Sequence, residues 1–500
     1  MNEDLRKAGI LLPVTALPSP FGIGCFSREA YELVDALAGS GQGYWQVLPL
    51  TPTSFGDSPY QSPSAFAGNP YLIDLWGLVT DGLLSQGECE EALGDTPAHR
   101  VDYGLQYKKR MPLLRLAASR FRGGESGEYR DFREKNQGWL EDYALFMALK
   151  DSLGGLPLAE WDPSLRLREA RAMSEARERL SEEIEAYRFL QFRFFEEWGR
   201  LRAYANQRGV RIIGDLPIYV SRDSADLWAS PNLFLLDGEG NPLRVAGCPP
   251  DDFTEDGQLW GNPLYRWEAH RRQDYAWWLA RLSQAFELFD AVRIDHFRGF
   301  DSYYSIPAGD RDAKGGRWEK GIGDEFFRVA RETLGEKEIL AEDLGYVTDS
   351  VRSLLRACGF PGMKILQFGF GGEAGDFSSD DLPHNYPPHC VAYTGTHDNA
   401  TLLEWLSGAS EKERAKVREY LWTEEPSDGH LAESLIAALM RSPARLCVVP
   451  LQDYLGLGAE ARVNVPARAE GNWQWRLRRE DLSDSLWNKI ARLTKIGGRG

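Results

Sequence analysis

Six cysteines in 500 residues is few, and none forms a Cys-x-x-Cys pair. Cys25, Cys89, Cys248, Cys358, Cys390 and Cys447 are scattered. That spacing argues against a zinc or dithiol redox motif and reads as reduced, packed thiols. His-Glu-x-x-His and a phosphate-cradling glycine loop are both missing, and no Gly-x-Gly-x-x-Gly follows the first expected strand. No apolar run approaches the roughly 20 residues that a membrane helix needs. The stretch MNEDLRKAGILLPV opens on two acids, Glu3 and Asp4, balanced by Arg6 and Lys7, and has no signal-type apolar core. A soluble, cytoplasmic protein is therefore expected. Positive charge is also short: 58 Lys and Arg against 75 Asp and Glu give a formal net charge of -17. This balance argues against non-specific binding to nucleic acid or to anionic membranes.

Aromatic residues are plentiful, with 16 Trp and 20 Tyr. Such rings suit either a sugar site or a large core. Eight short apolar runs ending in polar residues stand out, at 8–14, 44–50, 210–220, 291–297, 338–345, 363–370, 390–398 and 445–454. Amphipathic, charge-rich segments separate most of them. Near-continuous apolar strands alternating with helices predict a parallel sheet. Eight such units predict an α/β fold closed as a (β/α)8 barrel, a TIM barrel, spanning 1–500 as one catalytic unit. The rhythm breaks at 80–200, where Glu, Arg, Leu and Ala at helical spacing predict a helical insertion. A second insertion is expected at 221–290, carrying a lid loop near 247–260. Residues 445–500 are expected to finish the barrel, leaving no room for a C-terminal β-sandwich.

Several of the expected strands end in acids: Asp215, Asp295, Glu342 with Asp343, and Asp398. In such barrels the chemistry sits at the C-terminal strand ends. A convergence of like charge there is costly and is usually kept for metal binding or acid/base work. A cation held with His296 or His397 is one reading, but flanking arginines compete with it and no metal motif supports it. Neither metal nor cofactor is expected. Glycoside transfer is the other reading. It needs a carboxylate to attack the anomeric carbon and a carboxylic acid to protonate the leaving oxygen. Arg293 lies two residues before Asp295 and projects to the same side of the strand. A cation there would keep Asp295 ionised.

VRIDHFRGF, AEDLG and YTGTHDN, in that order, resemble the amylomaltases, the 4-α-glucanotransferases of glycoside hydrolase family 77 in the α-amylase superfamily. The resemblance spans nearly the whole chain, from GILLPVTALPSPFGIG to NWQWR. It implies Asp295 as nucleophile, Glu342 as general acid and then base, and Asp398 as a third acid binding sugar hydroxyls. It further implies that Ser58 and Tyr60 line the donor site, with Tyr60 stacking on a ring, and that Asp215 shapes the donor pocket. Trp260 would face the acceptor. His296 and His397 would donate hydrogen bonds. Phe368 would pack beneath the sugars or join the core, and Asp251 would contact substrate from the lid. The implied partners are α-1,4-glucans: maltodextrin, starch or glycogen fragments, and glucose. Three positions depart from the family pattern: Asp252 where an aromatic is usual, Ala400 where an acid is common, and Ala467-Arg468 in place of Gly-Thr. A glucan hydrolase on the same triad, or an inactive glucan-binding protein, are the alternatives.

Overall fold

In the computed structural model, residues 6–121, 126–250, 255–373, 375–425, 427–466, 468 and 470–500 are described. Twelve strands occur in chain order: β1 (Lys7–Leu11), β2 (Tyr44–Gln46), β3 (Arg211–Leu216), β4 (Arg244–Cys248), β5 (Gln258–Pro263), β6 (Ala291–Ile294), β7 (Ser302–Pro307), β8 (Arg317–Lys320), β9 (Ile339–Ala341), β10 (Gly362–Ile365), β11 (Cys390–Tyr393) and β12 (Leu446–Pro450). Eight of them form one parallel sheet in the order β10-β11-β12-β1-β2-β3-β6-β9. These eight are the apolar runs singled out in the sequence. The ring is closed between β9 and β10 without a ladder. Ala341 N donates to Pro361 O at 3.0 Å, and the Asp343 carboxylate accepts from Met363 N at 2.7 Å. Asp343 is thus a seam residue that replaces a missing backbone acceptor. The architecture is a (β/α)8 barrel.

Side-chain parity then places the strand-end polar groups. Ile213, Ala291, Leu340, Met363, Val391 and Val448 share one buried cluster contributed by strands all round the ring. Two residues on from Ile213 is Asp215; from Ala291, Arg293 and then Asp295; from Leu340, Glu342. Because side chains alternate along a strand, each of these polar groups follows the inward set to the C-terminal end of the barrel.

Between β2 and β3 the chain is helical, and its two longest members are Gly127–Ser152 and Ser181–Gln207. The second buries Ile184, Leu190, Phe194 and Trp198, and Trp198 Nε1 anchors it to Leu288 O at 2.8 Å. A four-stranded antiparallel sheet, ordered β5-β4-β7-β8, stands beside the barrel mouth. Past β12 the described residues form helices and loops, ending in the helix Asp484–Ile496, with no further strand. No helix among the described residues is long and apolar enough to cross a membrane.

Candidate active site

Arg293 is the hub. Its guanidinium is 3% exposed, and Nη1 donates to both oxygens of Asp215 at 2.7 and 2.8 Å and lies 3.0 Å from Asp295 Oδ1. Register explains this: Asp215 and Arg293 are direct neighbours across the β3–β6 ladder. Asp295 is the first residue past β6, and its N–H is still held by Leu216 O at 3.0 Å. Its carboxylate retains 27% exposure to the cleft. Burial raises the Asp295 carboxyl to about 6, with Asp215 and Asp398 adding to the rise and Arg293 opposing it.

Glu342 is the first residue past β9. Its carboxylate accepts from His296 N at 2.7 Å and from Leu344 N at 2.9 Å. The first bond depends on His296 adopting φ 51°, ψ 47°, which turns its N–H out of the strand direction. That left-handed conformation is uncommon for a side chain with a Cβ and marks a site where the backbone is bent for a purpose. Burial raises the Glu342 carboxyl to about 7, Asp295 adds to the rise, and Arg293 opposes it. The Glu342 carboxyl therefore holds a proton to a higher pH than an ordinary glutamic acid does.

A second chain of contacts runs away from Arg293. Tyr60 Oη donates to Asp215 Oδ2 at 2.7 Å and pairs with His397 Nε2 at 2.8 Å. Since the Tyr60 proton goes to Asp215, His397 Nε2–H donates to Tyr60 Oη and towards Asp398 Oδ2 at 3.2 Å. Asn464 Nδ2 donates to the other Asp398 oxygen at 2.6 Å. Burial works against the Asp398 charge, but the His397 pairing and the Asn464 bond overcome it and hold this carboxyl well below its ordinary range. Burial disfavours protonation of His397, yet Asp398 outweighs it and raises its affinity for a proton. Three neighbouring carboxyl groups thus differ in their hold on a proton: Asp398 holds it least, Asp295 more and Glu342 most.

The remaining expected residues frame these groups. Tyr60 lies nearly parallel to the His397 ring, 5.3 Å between centroids and 16° apart, and Trp473 leans on both. Ser58 Oγ accepts from Tyr60 N at 3.2 Å, in a turn where Gly56 and Asp57 both have positive φ. That loop is pinned from behind: Gln191 of the long helix exchanges two hydrogen bonds with the Gly68 backbone, at 2.7 and 2.9 Å. Gly68 itself admits no Cβ, because Phe194 would lie 2.1 Å away. Trp260 meets the His296 ring edge to face at 4.9 Å. Neither ring nitrogen of His296 has a protein partner among the described residues, and neither does His397 Nδ1. Burial lowers the His296 imidazole to about 3, so it is neutral. Phe368 sits half-exposed on the turn Leu366–Phe370 and is not in the core. Asp251, Asp252 and Ala467 lie outside the described residues. Ala400 uses its carbonyl to accept from Gln367 Nε2 at 2.9 Å, and Arg468 is exposed. Asn464, Trp473 and Gln191 were not singled out in the sequence. Asn464 lies three residues before the Ala467-Arg468 departure, and its own residue type carries no signal.

The closed barrel with carboxyl groups gathered at its C-terminal mouth defines an α/β-barrel enzyme of the glycoside-processing kind. The family model described as 4-alpha-glucanotransferase, glycoside hydrolase family 77, matches residues 12–482. A 4-alpha-glucanotransferase of Thermus thermophilus is 49% identical over 96% of this chain and 96% of its own length. One of Clostridium butyricum is 44% identical over 97% of this chain and 99% of its own. Among solved structures, an amylomaltase from Streptococcus agalactiae in complex with acarbose superposes with a TM-score of 0.95 at 40% identity, covering 99% of this chain and 100% of that one. The chain belongs to glycoside hydrolase family 77, the 4-alpha-glucanotransferases. It is a transferase acting on α-1,4-glucans.

Proposed function

We propose that the enzyme works by a retaining double displacement in which Asp295 attacks C1 of the donor glucan. Glu342 gives its proton to the departing oligosaccharide oxygen. A β-linked glucosyl-enzyme results, with its ester on Asp295. The now ionised Glu342 then takes the proton from the 4-hydroxyl of the acceptor, which displaces Asp295 and restores the α-1,4 bond. Asp398, held ionised by His397 and Asn464, accepts hydrogen bonds from donor-sugar hydroxyls as the ring flattens. Asp215 and Tyr60 wall the same pocket, and Ser58 lies at its rim. The free nitrogens of His397 and His296 meet hydroxyls, with Trp260 and His296 on the acceptor flank and Phe368 at the edge.

The observation that carries this reading is the pairing at two adjacent strand ends: Arg293 Nη1 holds the Asp295 carboxylate at the end of β6, while Glu342, one residue past the neighbouring β9, has its carboxyl raised by burial. The acceptors are maltodextrins and glucose, and nothing in the scheme calls for a metal. Five buried thiols, Cys25, Cys89, Cys358, Cys390 and Cys447, suit a reducing compartment, and we place the enzyme in the cytoplasm. Product analysis with maltotriose and no added metal tests the scheme. A ladder of longer maltodextrins with released glucose, and little net gain in reducing ends, is expected. Reducing ends rising without a ladder would show hydrolysis instead.

A further inference from the structure

Large exposed aromatics are uncommon, and two of them share one unexplained partner beside the active site. Tyr346 is 72% exposed and Trp318 is 38% exposed. Between them lies the guanidinium of Arg298, 3.9 Å from the Trp318 ring centroid and 5.9 Å from that of Tyr346. Arg298 is itself buried. It donates to the Tyr346 carbonyl and to Ser302 Oγ. Asp301 steadies the base of the cluster by accepting from Ser302 and from Ser350. A buried cation has thus been spent on fixing two rings that face solvent. A core role does not account for that, because neither ring is in the core.

The patch continues from the active site. Tyr346 lies four residues beyond Glu342, within about 14 Å along the chain. Arg298 lies three residues beyond Asp295. The patch is on a definite flank. On one side of Arg293 stand Asp215, Tyr60, His397 and Asp398. On the other stand Glu342, His296 and Trp260, and the Arg298 cluster belongs to this second side. In a displacement where Glu342 serves the leaving group and then the acceptor, that flank holds the acceptor chain.

We infer that Tyr346, backed by Arg298 and Trp318, is a stacking platform for the outer sugars of a long α-1,4-glucan acceptor. The inference rests on the displacement scheme above. An apolar sugar face packs on the open Tyr346 ring, and acceptors too short to reach it gain nothing from it. Tyr346 is a specificity residue and takes no part in bond making.

The test compares two acceptors with maltotriose as donor: glucose, and maltopentaose labelled at its reducing end. Tyr346→Ala is expected to raise KM for the labelled maltopentaose about 3- to 10-fold, the scale of one exposed aromatic contact, with kcat unchanged. KM for glucose stays at the wild-type value, and Tyr346→Trp keeps the wild-type preference. The exposure of Tyr346 makes a folding defect in these variants unexpected, and a thermal melt checks it. Equal effects on both acceptors, or none on maltopentaose, would overturn the inference while leaving the scheme intact. A wild-type enzyme that elongates neither acceptor would overturn the scheme and this inference with it.

Discussion

Replacing Asp295 by Asn should abolish transfer and make the protein more stable at neutral pH. Asp295 carries its charge in a place that disfavours it: its carboxyl is raised from an ordinary 3.8 to about 6, chiefly by burial. The folded protein therefore holds this proton more tightly than the unfolded chain does. Unfolding releases it between those two values, so stability falls as pH rises from about 4 through about 6 and stays lowered above that. At about 1.4 kcal/mol per pH unit the cost approaches 3 kcal/mol. The 27% exposure of the side chain and its coupling to Glu342 reduce the expected figure to about 1–3 kcal/mol. Asn is nearly isosteric, keeps an oxygen facing Arg293, and carries no such cost. Arg293 retains both bonds to Asp215. Urea unfolding of the two proteins at pH 7.5 and pH 4.5 measures the difference. The variant should be about 1–3 kcal/mol more stable at pH 7.5, with the gap narrowed to about a third of that at pH 4.5. Maltotriose disproportionation should fall about 10,000-fold or more. A variant that is less stable at pH 7.5, or whose gain does not vary with pH, would refute the reasoning. One that still transfers at the wild-type rate would remove Asp295 as nucleophile.

Arg293→Met leaves Asp215 buried without its cation and should cost about 3–5 kcal/mol at pH 7 by chemical denaturation; a loss under about 1 kcal/mol would contradict the hub assignment. The pH profile of kcat/KM should be bell-shaped, falling on the acid side near 6 as the Asp295 carboxylate gains a proton and on the alkaline side near 7 as Glu342 loses one, both values belonging to the pair. A flat profile from pH 6 to 9 would rule out Glu342 as the acid. Asn464→Ala removes the 2.6 Å bond to Asp398 and should lower kcat/KM about 10- to 100-fold with the fold intact by circular dichroism; an unchanged rate would separate Asp398 from sugar binding.

The barrel strands were readable because each is apolar almost throughout, as a strand buried on both faces must be: AVRI in β6 and LCVVP in β12 are buried at every position. The small antiparallel sheet was not readable. QLWGNP and RWEK carry Gly, Pro, Asn and charge, and β8 is largely exposed. Their pairing is set by the neighbouring strands, not by their own residues. The strand-end acids were visible because a charge after an apolar run is conspicuous. Asp343, equally conspicuous, proved to close the barrel seam. Asn464 was invisible, since it lies 66 residues from the carboxylate it supports and asparagine in a loop is commonplace. The bend at His296 was equally silent, because a left-handed residue other than glycine leaves no mark in the sequence.

The single guanidinium shared by Asp215 and Asp295 has a consequence for where the negative charge sits during the proposed reaction. In the free enzyme this trio carries one positive and two negative charges. Once Asp295 is esterified by a sugar, Arg293 and Asp215 remain as a matched pair, and the second negative charge has moved to Glu342, which has given its proton to the leaving group. Glu342 also acts on Arg293, so the same cation steadies the charge in both places. The pocket keeps one net charge throughout, and in the intermediate that charge waits on the acceptor flank, as a base for the incoming sugar hydroxyl.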